Sequence, residues 1–319
     1  MGGLSLELLG LLILEDMGEY QQSLGELQAK AQSLEEMQEA YGVLTRIGSG
    51  MAAEERWQEL DHLHQLFEDL GMVPSKFQRP QHLLEGLSPQ AVWPLSETGV
   101  EARLETLRSH WKTLRAEALA LVESGARQNW TRGGKSLEKK DLWHLLVFHG
   151  RGYESFPAWL CSLAPTSCSL LRDFPEALGC PTGTIKFSVV QASARLLPHC
   201  GTTNAKLRAH LGLVVPEGAG MRVASETLQW QEGEVIVFDD SFEHEVWNGS
   251  DETRIVLIID FNHPDLSEED IASQDRRWKV VGHKEDGPMF SLEGREEEEV
   301  GEGGLFGRAR EGGGGKEEL

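Results

Sequence analysis

From Lys186 onward, apolar and polar residues alternate. "IKFSVVQAS", "AKLRAHLGLVV", "MRVASETLQW", "GEVIVFDD" and "TRIVLIIDFN" read as short strands separated by glycine, proline, asparagine or aspartate. Five or more such strands at close spacing predict a mainly β domain of the sandwich or jelly-roll kind. Upstream the period differs. "LGELQAKAQSLEEMQEAYGVLTRI" and "ERWQELDHLHQLFEDLG" place apolar residues every three or four positions, which predicts helices, the second capped by Gly71. Such a pair resembles the end of a helical-repeat array, but no clean repeat period is present and a short helical bundle reads equally well. Pro74, Pro80, Pro89 and Pro94 then punctuate the chain. A long amphipathic helix is predicted in "VEARLETLRSHWKTLRAEALALVES", with Ser96, Glu97 and Thr98 as capping candidates. "NWTRGGKSLEKK" reads as an exposed loop. The pattern divides the chain into a helical region at 1–75, a mainly β domain at 76–270 and an acidic Gly/Glu-rich tail at 271–319, the last expected to be disordered.

Composition narrows the class. The 319 residues include 30 Lys and Arg against 52 Asp and Glu, a net charge of −22. That argues against nucleic acid as partner, because phosphate binding needs a basic face. No run reaches the roughly 20 apolar residues of a membrane span. The N-terminal "LSLELLGLLIL" is short, carries Glu7 and lacks preceding basic residues. It fails as a signal peptide and reads as a helix packed on its neighbours, so the chain as written is expected to show no route into the secretory pathway.

Four cysteines are present: Cys161, Cys168, Cys180 and Cys200. The first two flank "SLAPTS", read as a proline-containing loop, and their spacing serves a small disulfide loop or two free thiols equally well. The absence of CxxC disfavours a zinc knuckle. "NWT" at Asn129 and "NGS" at Asn248 fit the glycosylation sequon, and the terminal "KEEL" resembles a lumenal retrieval signal. All three lean toward a lumenal setting, though sequons arise by chance and the tail is simply Glu-rich.

The candidate chemistry clusters near two histidines. His199 lies in "LLPHCGTTN", and His244 lies in the ionisable stretch "FDDSFEHEVWNGSDETR", read as a loop between two strands. Neutral imidazoles at strand ends are common ligands for Fe(II). In "KLRAHLGLV", alternation puts Leu207, Ala209, Leu211 and Leu213 on one face and Arg208 and His210 on the other. A basic pair turned into a barrel is costly unless it meets an anion. Arg254 opens the next apolar strand, where a guanidinium can fork onto a carboxylate. Asp240 is expected either to orient a water or a histidine N–H, or to bond its own turn backbone. Glu243 and Glu245 are expected to be solvated.

"PHCGTTNAKLRAHLGLVVP", "WQEGEVIVFDDSFEHEVWN" and "HPDL", together with "FQRP", "CSLAPTSC" and "IKFS", strongly resemble the aspartyl/asparaginyl β-hydroxylases over roughly residues 78–266. The resemblance implies a double-stranded β-helix core of the cupin-like jelly-roll type. It implies a 2-oxoglutarate-dependent dioxygenase of the lumenal endoplasmic reticulum that uses Fe(II) and O2 to hydroxylate the β-carbon of Asp or Asn in epidermal-growth-factor-like domains. His199 and His244 match the iron ligands. Ser188, Arg208, His210 and Arg254 match the groups that hold 2-oxoglutarate. Lys186 and Lys206 fall where the family has basic residues near the substrate, and Cys161 and Cys168 match a disulfide pair. Most oxygenases of this chemistry carry Asp or Glu two residues after the first histidine; here that residue is Gly201, as in the family resembled. Two other readings use the same barrel: a non-catalytic family member acting as a binding or scaffolding module, and a cupin-like metalloenzyme without 2-oxoglutarate.

Overall fold

Strand formation follows the alternation and extends beyond it. The computed structural model describes residues 57–69, 73–125, 130–134, 137–138 and 140–273. The helices predicted before residue 57, the Gly71 cap, the Asn129 sequon and the tail beyond residue 273 lie outside the described residues.

Eleven strands are described: β1 (Val92–Trp93), β2 (Thr131–Arg132), β3 (Trp143–Gly150), β4 (Thr184–Val190), β5 (Arg195–His199), β6 (Lys206–Val214), β7 (Ala219–Val223), β8 (Glu226–Leu228), β9 (Val235–Phe238), β10 (His244–Asn248) and β11 (Arg254–Asn262). They form a seven-stranded sheet, β1-β9-β6-β11-β4-β3-β2, and a four-stranded sheet, β5-β10-β7-β8. Neighbours within both sheets run antiparallel. The predicted two-sheet jelly roll is the observed fold.

Five strands escape the alternation reading, among them the two-residue β1 and β2, the latter inside the segment read as an exposed loop. β3 is apolar at nearly every position because it is buried on both faces, and such runs lose the period of two. β5 is interrupted by Pro198, and β10 lies inside the stretch read as a loop, so His244 opens a strand.

The large sheet packs helices on one side and the small sheet on the other. Leu207, Ala209, Leu211 and Leu213 of β6 join Ile255, Leu257, Ile259 and Phe261 of β11 in the cluster that meets Leu104, Leu114 and Leu121 of the helices. A second cluster fills the space between the sheets and includes Val190, Met221, Trp230, Phe238, Val246 and Val256. The even-numbered positions of β4, β6 and β11 therefore face the interior, including Lys186, Ser188, Lys206, Arg208, His210, Arg254 and Asp260.

The helices differ from expectation in two places. Trp57–Asp69 (α1) forms as predicted. The long amphipathic segment is two helices, Glu101–Ser109 (α2) and Trp111–Glu123 (α3), broken at His110. There the Ser109 hydroxyl donates to the Thr106 carbonyl at 2.7 Å and His110 Nδ1 lies 2.9 Å from the same oxygen, so side chains compete for a helical acceptor. Val100 rather than Ser96, Glu97 or Thr98 precedes the first turn, and Thr98 instead donates to the Leu95 carbonyl. "CSLAPTSC" is not a loop: it spans Ala158–Leu163 (α4) and Pro165–Arg172 (α5), joined by a Cys161–Cys168 disulfide. A further helix, Pro175–Leu178 (α6), follows.

Asn248 does not fit a glycan acceptor. It is 1% exposed, and its side-chain amide donates to the Val190, Gln191 and Glu252 carbonyls at 2.8–3.1 Å. Glu117, on the buried face of α3, accepts the Thr166 and Ser167 backbone N–H groups at 2.8 Å and the Ser167 hydroxyl at 2.6 Å. It thus caps α5 from another helix. Glu117→Ala is expected to cost about 2 kcal/mol by leaving buried donors unpaired, read as a lower urea midpoint with an unchanged m-value.

Candidate metal and co-substrate site

His199 ends β5 and His244 opens β10, and the two are direct cross-strand partners. Their register is irregular: Val246 pairs with Leu196, so β5 carries one residue more than β10 over this span. The extra residue makes a bulge at Leu197–Pro198, a position where proline's missing N–H costs no ladder bond. The bulge brings the imidazoles together, with ring centres 4.1 Å apart.

Each ring is held through one nitrogen. His199 Nδ1 lies 2.7 Å from the Leu197 carbonyl and His244 Nδ1 lies 2.9 Å from the Phe242 carbonyl. A carbonyl only accepts, so both Nδ1 atoms carry the proton and both Nε2 atoms keep a lone pair. Burial pushes the His199 pKa down to about 4, despite the Leu197 bond. Burial, aided by His199, pushes that of His244 well below its ordinary value. Two neutral imidazoles with free lone pairs at this separation fit a shared divalent metal. Among the described residues no third His, Cys, Asp or Glu completes a metal cluster with them.

Gly201 shows why no carboxylate follows His199. A Cβ at this position would lie 2.6 Å from the Asp240 carboxylate, so Asp240 occupies the space a side chain would need. Asp240 itself bonds neither histidine. It pairs with Lys206 at 2.7 Å and Arg208 at 3.0 Å, and its buried Oδ1 has no partner among the described residues. The local turn bond expected as its alternative is made by Asp239, which accepts the Ser241 N–H at 2.9 Å.

Arg208 is also gripped by Asp260, through Nε at 2.6 Å and Nη2 at 2.9 Å. Burial alone would raise the Asp260 pKa, but Arg208 and Lys206 outweigh it and hold the group far below the usual carboxylate range. Burial would likewise lower that of Lys206, yet Asp240 and Asp260 raise it. These four side chains form one buried, compensated ion network.

A cavity of about 470 Å³ collects Lys186, His199, Lys206, Arg208, Asp240, His244 and Asp260 along its wall, with Arg132, Arg151 and Trp143. Ser188, His210 and Arg254 form a separate buried group. The Ser188 hydroxyl accepts from Trp143 Nε1 at 3.0 Å. His210 Nδ1 accepts from Trp230 at 3.3 Å, which leaves a protonated Nε2 without a partner. Burial, then Arg208 and Arg254, keep that imidazole neutral. Arg254 is 1% exposed, its guanidinium 4.6 Å over the Trp230 ring, and its Nε has no acceptor. Burial lowers its pKa to about 9, so it stays cationic at neutral pH. Among the described residues no carboxylate pairs with it. Two buried donors beside Trp230, His210 Nε2 and Arg254 Nε, thus lack acceptors among the described residues, a pair that fits an anionic ligand.

Glu243 and Glu245 are not solvated. Arg79 and Arg222 hold Glu243, and Arg195 and Arg222 hold Glu245. None of these arginines was singled out in the sequence, nor was Trp230. Asp260 did leave a signal, as a lone acid inside the apolar run "IVLIIDFN".

Residues 108–264 match the family model described as Aspartyl/Asparaginyl beta-hydroxylase. The chain is 38% identical over 225 residues to aspartyl/asparaginyl beta-hydroxylase of Homo sapiens, covering 70% of this chain and 28% of that protein. It is 45% identical over 84 residues to ornithine lipid ester-linked acyl 2-hydroxylase of Rhizobium tropici, covering 25% of this chain and 30% of that one. The crystal structure of a Pseudomonas putida prolyl-4-hydroxylase aligns at 16% identity and a TM-score of 0.33, over 51% of this chain and 97% of that one. The chain thus spans under a third of the length of these two curated relatives. With its motifs, two-sheet fold and these identities in agreement, the chain belongs, through residues 108–264, to the aspartyl/asparaginyl β-hydroxylase family.

Proposed function

We propose that this chain is an Fe(II)- and 2-oxoglutarate-dependent dioxygenase that hydroxylates the β-carbon of Asp or Asn residues in protein substrates. The cross-strand pair of neutral imidazoles, His199 and His244, carries this reading, because both Nε2 lone pairs are left for a metal. When bound, Fe(II) with O2 supplies the oxidation, one oxygen atom entering the substrate and the other leaving with 2-oxoglutarate as succinate and CO2.

The chain's own residues bind and orient. Arg254 supplies a buried cation that has no carboxylate partner among the described residues, suited to a co-substrate carboxylate. His210 adds a neutral N–H, and Ser188 keeps its hydroxyl proton to donate while accepting from Trp143. Arg208 acts within the Asp240–Asp260 network, and Lys206 balances the same two carboxylates. The unpartnered Asp240 Oδ1 is placed to accept from a water beside the histidines. Five basic side chains, Arg132, Arg151, Lys186, Lys206 and Arg208, line the cavity against two acids, Asp240 and Asp260. Arg132 is itself paired with Asp141 at 2.9 Å, and in a chain of net charge −22 this basic lining favours an acidic side chain as substrate, with Lys186 as its contact.

The family resemblance points to epidermal-growth-factor-like domains as substrates and the lumenal endoplasmic reticulum as compartment. The Cys161–Cys168 disulfide supports an oxidising setting. The described residues contain no helix long and apolar enough to cross a membrane.

Incubation with a growth-factor-like domain, Fe(II), ascorbate and 2-oxoglutarate is expected to add one oxygen to an Asp or Asn, read by mass spectrometry, with stoichiometric succinate. His244→Ala is expected to lower turnover at least about 100-fold, since metal-dependent stabilisation is worth several kcal/mol; wild-type turnover in that variant would remove His244 from the metal site. Protein that takes up neither Fe(II) nor Mn(II) with 2-oxoglutarate present would instead be a binding module. Arg254→Met is expected to weaken 2-oxoglutarate about 30-fold or more, the loss of about 2 kcal/mol or more from a buried charge pair, measured by calorimetry with Mn(II). Unchanged affinity would assign the carboxylate to another residue.

A further inference from the structure

The outer face of the small sheet, opposite the histidines, carries a row of alternating charge. Arg79 pairs with Glu243, Glu243 with Arg222 at 2.7 Å, Arg222 with Glu245 at 2.8 Å, and Glu245 with Arg195 at 2.6 Å. Glu243 and Glu245 immediately precede and follow His244. Arg222 sits at the centre and is itself the cross-strand partner of Glu245. Its guanidinium reaches Glu243 through Nη2, Glu245 through Nε and the Ala224 carbonyl through Nη1 at 2.6 Å. The Ala224 N–H in turn donates to the Glu243 carbonyl at 2.8 Å.

Building on the reading of His199 and His244 as metal ligands, we infer that Arg222 is a positioning residue for His244. One planar fork holds the side chains on both sides of the ligand and so fixes the backbone between them. Side chains at successive strand positions point to opposite faces, so a clamp on 243 and 245 aims 244 at the interior. The constraint matters here because the β5 partner is bulged, and a bulged ladder specifies the local backbone less tightly than a regular one. β7, which carries Arg222, pairs regularly with β10 and supplies the rigid reference. Lysine could not substitute: its single ammonium cannot span two carboxylates and a carbonyl in one plane.

Titration of the purified full chain with Mn(II) and with Co(II) tests this, by calorimetry for affinity and by Co(II) absorption for ligand geometry. Arg222→Met is expected to weaken metal binding about 10- to 100-fold and to shift the Co(II) bands, with Arg222→Lys in the same direction. Arg195→Met removes only the outermost pair, whose arginine side chain is 62% exposed, and is expected to change affinity less than about threefold. Glu117→Ala, which loosens the fold far from the histidines, is expected to retain wild-type affinity and bands, separating positioning from general stability. Should Arg222→Met fail to fold, Arg222→Lys and Glu245→Gln carry the same test. Wild-type affinity and bands in a folded Arg222 variant would overturn the clamp and leave the metal site standing. A wild-type protein that binds neither ion would overturn the metal reading itself.

Discussion

Two imidazoles on adjacent antiparallel strands can share an ion only when register sets them opposite each other with both rings on the same face. In this chain that condition is met by β5 and β10, and it depends on one extra residue in β5. Without the bulge at Leu197–Pro198, His199 would move one position along the ladder and turn to the other face. The bulge also makes the Leu197 carbonyl available to the His199 Nδ1 proton. A local backbone irregularity thus sets both the direction of the ring and the nitrogen it offers.

Charge burial is the second constraint. Charged groups on the inward face of the large sheet would be ruinous if left alone. Lys206, Arg208, Asp240 and Asp260 compensate one another, and Gly201 is small enough to let the Asp240 carboxylate come close. Among the described residues Arg254 has no such partner, and the Trp230 face stabilises it instead. The fold therefore balances the charges that shape the cavity, and among the described residues it leaves the Arg254 guanidinium without a carboxylate partner. Around the outside, a second ion row braces the strand that carries His244.

Much of the architecture was legible. The alternation in "KLRAHLGLV" placed Leu207, Ala209, Leu211 and Leu213 on one face, which the structure turns toward the helices, and the strands of β4, β6, β9 and β11 follow the apolar runs. β3 and β10 were less visible because burial on both faces erases a period of two, and because a short strand rich in charge resembles a loop. The break at His110 was hidden, since the amphipathic pattern continues through it while Ser109 and His110 compete for a helical carbonyl.

The sequence by itself determined the two-sheet fold and the histidine-bearing segments, because these follow from local periodicity and from long, specific motifs. Only the tertiary structure decided which charges are spent and which are spare. Arg208 and Arg254 look alike as letters in strands, yet one is gripped by two aspartates and the other, among the described residues, by none. Glu243 and Glu245, read as solvated, are tied to arginines far away in sequence. Whether a buried charge is paired depends on residues many positions distant, and no local pattern carries that information.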